Sequence, residues 1–182
     1  MMKSITATSS LVTVAALVSE ALKKYGIDAV LTGGAVVSIY SNNKYLSWDL
    51  DFIIEGLAKK VDHAMSELGF LRKHGRHYIH PQSKFFVEFP GGPLAIGDML
   101  IDNISEKKTK DGCIRLLPPT ECVMDRLAAF YFWNDLQCLE QALLVARCQF
   151  IHISQIEKWS RVENMLDKFG VFKKKLNHNL RY

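Results

Sequence analysis

Leu31-Thr-Gly-Gly-Ala-Val-Val-Ser-Ile-Tyr40 and, a little further on, Ser47-Trp-Asp-Leu-Asp-Phe-Ile-Ile54 decide how the rest of the chain reads. The apolar run Ala29 to Leu31 stops at Gly33-Gly34, which is the pattern of a buried strand ending in a tight turn with a short helix behind it. In the second stretch Asp49 and Asp51 interrupt a run of Trp48, Leu50, Phe52, Ile53 and Ile54. Side chains two apart on a strand share a face. The spacing therefore puts both carboxylates on one face and turns Trp48, Leu50 and Phe52 the other way, into a core. Two negative charges beside so much apolar surface are costly unless a cation lies between them. A divalent metal answers that need, and hard oxygen donors suit Mg²⁺.

A third acid is then expected nearby, and Lys84-Phe-Phe-Val-Glu-Phe-Pro90 supplies one. Phe85, Val87 and Phe89 take one face of this second strand, and Glu88 shares the other with Phe86. The combination of Thr32-Gly33-Gly34, Asp49-Leu50-Asp51 and Glu88 resembles the nucleotidyltransferase superfamily of the polymerase-beta-like fold. More loosely, Leu117-Pro-Pro-Thr-Glu-Cys-Val-Met-Asp-Arg-Leu-Ala128 looks like the helical tail of small bacterial members, including those of toxin–antitoxin pairs.

The resemblance implies an α+β fold: a short mixed sheet backed by helices, followed by a helical C-terminal part. It implies transfer of a nucleoside monophosphate from an NTP such as ATP to an acceptor hydroxyl, with release of pyrophosphate. Asp49, Asp51 and Glu88 would be the catalytic and metal-binding residues. Two Mg²⁺ ions about 3.5–4 Å apart would hold the triphosphate and activate the attacking hydroxyl. Gly33 and Gly34 would seat the phosphates, because small residues let backbone N–H groups come close and the helix behind adds its dipole. The family often has Ser at the second glycine position, so Gly34 removes one hydroxyl contact. Ser38 and Ser47 are candidates to replace it.

The rest of the composition permits this reading. The chain has 182 residues, 48% hydrophobic and 23% charged, enough for a sizeable core in one ordinary domain or two small ones. A net charge of +4 and a pI of about 8.8 allow an anionic partner without demanding one. Cys113, Cys122, Cys138 and Cys148 form no Cys-x-x-Cys pair and read as reduced thiols, which places the chain in the cytoplasm. Met1 to Val18 has one Lys ahead of an apolar stretch, as a signal peptide would. Ser9, Ser10, Thr13 and Ser19 interrupt it, however, and Glu20, Lys23 and Lys24 continue its helical pattern, so an amphipathic helix is the better reading. No run is long enough to span a membrane.

In order, the patterns predict a helix over Thr8 to Tyr25 capped by Ser9 or Ser10, then a strand over Ile27 to Leu31. After the Asp-Leu-Asp strand come a helix over Gly56 to Leu68 and a pair of strands, Phe70 to His80 and Ser83 to Phe89, with Pro81-Gln82 near the turn. Ala95 to Ile101 and Cys113 to Leu117 read as short strands, and the polar Asp102 to Gly112 as a turn region. Pro118-Pro119 marks a boundary between a nucleotidyltransferase-like domain, 1–117, and a helical region, 118–182, packed on it. There Thr120 is expected to cap Glu121 to Phe132, Asn134 and Gln137 to box Asp135 to Cys148, and Ser154 with Glu157 to open Gln155 to Phe169. Lys173, Lys174, Lys175 and Arg181 form a basic tail.

Each functional reading has a plainer one beside it. Asp49 and Asp51 would fit the solvent face of an edge strand. Glu88 would pair with Lys84, Arg76 or another cation. His74, His77 and His80, if on a single strand, have neighbours on opposite faces, which argues against a metal cluster. The basic Arg72, Lys73, His74, Arg76 and His77 would serve a triphosphate, an RNA backbone or only solvent. Asp125-Arg126 reads as a half-buried pair tying the helical tail to the catalytic half, and Phe130 to Trp133 as core or interface aromatics. The runner-up function is a nucleotidyltransferase-like scaffold that binds or regulates without catalysis, such as an antitoxin component. The acceptor stays open among an RNA end, a protein hydroxyl and a small molecule such as an aminoglycoside, and so does assembly with a second copy or a cognate partner protein.

Overall fold

The structure is a computed structural model and describes residues 4–55 and 58–178. Seven strands form one mixed sheet: β1 (Asp28–Thr32), β2 (Asp49–Glu55), β3 (Leu71–His74), β4 (His77–Ile79), β5 (Phe86–Glu88), β8 (Ser105–Thr109) and β9 (Gly112–Leu116). Their spatial order is β3-β4-β5-β2-β1-β9-β8, with β2–β5 and β1–β9 parallel and the other neighbours antiparallel. Strands β6 (Ala95–Ile96) and β7 (Met99–Leu100) pair separately. Helices α1 (Leu11–Lys24) and α3 (Ala58–Glu67) pack on each other and on the sheet, while α2 (Gly33–Tyr40) packs on β1 and β2. After Leu117 come α4 (Pro119–Trp133), α5 (Leu136–Cys148), α6 (Ile153–Val162) and α7 (Leu166–His178). The architecture is the α+β arrangement expected, with a mixed sheet and a helical C-terminal part.

Alternation along the strands sorts the two faces as the sequence implied. Leu31, Leu50, Phe52 and Val87 are fully buried on the side that carries α1 and α3. Trp48 departs from its expectation. It stands just before β2, is 46% exposed, and stacks on Phe85 with the Lys84 ammonium 4.7 Å from its ring centre. A Trp at a sheet margin keeps an apolar face covered and leaves its edge in water.

Several boundaries differ from the sequence reading. Phe70 to His80 is a hairpin in itself rather than one strand: Gly75 takes φ +52 and the chain reverses, so His74 faces His77. Ser105 to Thr109, expected as a turn region, is an edge strand. Its charged Glu106, Lys107 and Lys108 suit an edge, where unpaired backbone must be kept from other chains. Helix α4 begins at Pro119, where a missing N–H costs nothing, and Thr120 does not cap it. Asn134, at φ +54, ends α4 in the left-handed region instead of opening α5. Asp135 is the cap of α5, accepting from the Cys138 N–H at 3.0 Å. The helix expected over Gln155 to Phe169 is two helices, broken where Asn164 adopts φ +59 and the Met165 N–H bonds Ser160 O at 2.7 Å. Ser154 lies inside α6, whose cap position is His152. Ser10 does cap α1. Gly56, Leu57 and Arg181, which the helix and tail expectations include, lie outside the described residues.

Tyr40, at the end of α2, is one of the points where the tail joins the sheet half. Its hydroxyl donates to Leu117 O at 2.7 Å, and its own carbonyl accepts from Gln149 Nε2 at 2.8 Å. The hydrogen bonds of the Asp125–Arg126 pair lie inside the tail, while the charge of Arg126 reaches Asp51 across that boundary. Arg126 donates to Asp125 Oδ2 through Nε at 3.0 Å and Nη2 at 2.5 Å, and Nη1 reaches Gln141 Oε1 at 3.4 Å, so it ties α4 to α5. Phe130 and Tyr131 are core, with Tyr131 stacked on Trp159, whereas Phe132 and Trp133 are exposed.

Candidate active site

Strand register builds the site. Thr32 stands opposite Asp51, Asp51 opposite Glu88, Glu88 opposite His77, and His77 opposite His74. Directly paired residues in a sheet point to the same face. One row of side chains therefore crosses five strands, on the face opposite Leu31, Leu50 and Val87. Asp49, two residues before Asp51, joins this face beside Phe86. One carboxylate oxygen from each of Asp49, Asp51 and Glu88 lies within 4.8 Å of the others. The three acids picked out by the sequence are thus together, and Gly33 lies against Asp51.

The charges are uncomfortable. Burial above all, then the Glu88 charge, pushes the Asp49 carboxyl up to about 6, with His77 opposing. Burial, followed by the Asp49 and Glu88 charges, pushes Asp51 up to about 7, with Arg126 opposing. Asp49 Oδ1 is buried and has no hydrogen-bond partner among the described residues. A buried acceptor left without a donor costs free energy unless a cation or water meets it. Three oxygen donors of this hardness, one of them unsatisfied, fit a Mg²⁺-class ion.

Gly33 and Gly34 have different reasons to be glycine. Gly33 sits at φ +68, and a Cβ there would lie 2.6 Å from Asp51 Oδ2. At Gly34 a Cβ would lie 3.0 Å from Ser47 Oγ and 3.4 Å from the Tyr45 ring. Ser47 and Ser38 are used structurally. The Ser47 N–H donates to Ser38 Oγ at 2.9 Å, Ser38 Oγ donates to Gly34 O at 3.2 Å, and Ser47 Oγ donates to Asp49 O at 3.0 Å. The serines thereby clamp the loop between α2 and β2, which fixes where Asp49 begins.

Glu88 pairs with neither Lys84 nor Arg76. Its partner is His77, whose Nδ1 lies 2.5 Å from Glu88 Oε1. The sequence reading missed His77 because it treated the three histidines as sharing one strand; the Gly75 turn is the signal that would have placed it. His80 is apart from the other two and packs edge-on against Phe70. A groove of about 260 Å³, lined by His74, Arg76, His77, Glu88, Phe89 and Pro90, opens beside the third acid.

No protein-family model and no curated protein matches the chain. Solved structures do resemble it. An antigenic nucleotidyltransferase-like protein from Paracoccidioides brasiliensis is 14% identical over 93% of each chain, with a TM-score of 0.59. The antibiotic-resistance factor ANT(2'')-Ia is 11% identical over 93% of this chain and 95% of that one, with a TM-score of 0.51. Identities this low speak to the fold, which is nucleotidyltransferase-like as the acid and glycine spacing implied. No helix among the described residues is long and apolar enough to cross a membrane.

Proposed function

We propose that the chain is a metal-dependent nucleotidyltransferase, moving a nucleoside monophosphate from an NTP to an acceptor hydroxyl and releasing pyrophosphate. The observation that carries this reading is the convergence of Asp49, Asp51 and Glu88, each offering an oxygen within 4.8 Å of the others, against a glycine turn at a helix start. The nucleotidyltransferase-like fold supports it. Asp49, Asp51 and Glu88 would hold Mg²⁺, two ions in the full reading. Bound there, the metal supplies positive charge to the transferring phosphoryl group and to the attacking oxygen.

The chain's own residues do the rest. Gly33 and Gly34 leave room for phosphates at the N-terminal end of α2, where free N–H groups and the helix dipole favour negative charge. Asp49 and Asp51 must lose protons to bind a cation, so the raised values of both make proton and metal competitors near neutral pH. Glu88, whose side chain is 40% exposed, faces the groove along β4 and is placed to take the acceptor hydroxyl's proton. We assign that groove to the acceptor: an RNA end, a protein hydroxyl or a small molecule. We place the reaction in the cytoplasm and take residues 118–182 as a region supporting the catalytic half.

Incubation with each α-labelled NTP, Mg²⁺ and cell lysate tests this. Label should move to an acceptor with pyrophosphate release, and Asp51→Asn should abolish it while the chain stays folded. Nucleotide binding with no transfer to any acceptor would favour the non-catalytic scaffold.

A further inference from the structure

We propose that His77 is a positioning residue for Glu88: its Nδ1 hydrogen bond sets the carboxylate at the angle the metal site needs. This rests on the nucleotidyltransferase reading of the three acids. The bond is made by direct ladder partners, so the backbone register aims the two groups at each other without help from flexible linkers. The ring is held on both sides. His74 stacks on it at 5.2 Å and 19°, and Phe86 lies 4.9 Å away at 35°. The His77 side chain is 16% exposed against 40% for Glu88, so the more sheltered group steadies the more open one.

Neither of the two cations the sequence offered to Glu88 forms an ion pair with it; His77 does. The Lys84 ammonium lies over the Trp48 and Phe85 rings, and the Arg76 guanidinium approaches Gly91. A lysine or arginine partner would lower the carboxylate's charge toward a metal. The single Nδ1–H of His77 orients it and leaves its second oxygen and remaining lone pairs available. Groups that orient a metal ligand in this way commonly change metal affinity by about 10–100-fold when removed.

The test is Mn²⁺ binding to the full chain, read by electron paramagnetic resonance and independent of turnover, together with the metal-free melting temperature. His77→Phe keeps a ring between His74 and Phe86 and deletes the donor. Its Mn²⁺ affinity should fall at least about tenfold. His77→Asn, whose amide nitrogen sits the same number of bonds from the backbone as Nδ1, should recover most of that loss. The metal-free melting temperatures of both should stay near wild type. If His77→Phe does not fold, His77→Leu, which also lacks a donor, takes its place with the same expectation. Wild-type affinity in the donor-deleted variant, or equal losses in the Phe and Asn variants, overturns the proposal. Asp51→Asn separates the levels. If it loses Mn²⁺ while His77→Phe keeps it, only the role of His77 fails; if Asp51→Asn binds as wild type, the metal-site reading fails and takes this proposal with it.

Discussion

A methyl group on Gly33 would lie 2.6 Å from Asp51 Oδ2, so the left-handed glycine and the second carboxylate share a space that admits no further side chain. Gly33→Ala must both strain the backbone and push Asp51 away from its place. The backbone alone should cost about 1–2 kcal/mol in urea denaturation. Nucleotidyl transfer should fall by at least about tenfold beyond what stability explains, since a displacement of 1 Å at a reacting centre is costly. Normal turnover in a folded Gly33→Ala protein would remove the turn from the site.

Protons should stabilise the metal-free protein. Asp49 and Asp51 titrate at about 6 and about 7 when folded, against about 3.9 in an unfolded chain. The folded state thus holds these protons more tightly. Stability is full below the unfolded value and declines as pH rises through the folded ones. Melting scans without metal should show a downward slope from pH 5 to pH 8, and Asp51→Asn should flatten it. Mg²⁺ should raise the melting temperature more at pH 8 than at pH 5, because only the deprotonated pair binds it. A metal effect that does not depend on pH would contradict the site.

Arg126→Ala should leave Asp125 half-buried without its partner and sever the contact with Gln141. The expected loss is about 2–3 kcal/mol in urea denaturation, below the value for a fully dry pair because both side chains keep some solvent. It also removes a cation that draws Asp51 downward, so the Mg²⁺ concentration needed at pH 7 should rise. Unchanged stability would mean that the pair does not hold α4 to α5.

Asp135→Ala should remove the cap of α5 and cost about 1 kcal/mol. The backbone N–H of Cys138 holds the Asp135 carboxyl below its usual range. The cap therefore contributes above the unfolded value and is lost as pH falls through the folded one. The difference between wild type and Asp135→Ala should shrink in acid, and Mg²⁺ binding should not change.

The three acids and both glycines could be read from the sequence because each sits in a local pattern: an alternating strand or a turn that only small residues permit. What could not be read is how the strands line up. The partnership of His77 with Glu88 depends on the register of β4 against β5, and although Gly75 signals a turn, nothing in the sequence specifies that register. Trp48 was misread for a related reason. Alternation gives the side on which a residue points but not whether the core extends that far. The polar strand β8 was hidden because edge strands carry loop-like composition. Asn134 and Asn164 were overlooked as helix stops because residues other than glycine seldom take the left-handed conformation, although asparagine does so more readily.

The alignment of Asp51, Glu88 and His77 makes the stretch between Ile79 and Phe86 a spacer of fixed length. Adding or removing one residue there would rotate β5 by half its period. Val87 would come up among the acids and Glu88 would go down beneath the helices. The tip at Gly75 and Arg76 is bound less tightly, since its length sets how β3, and with it His74, lies against β4 and leaves the register of Glu88 alone. Length variation across this hairpin region should therefore be lopsided, rarer in the inner bend than at the outer one.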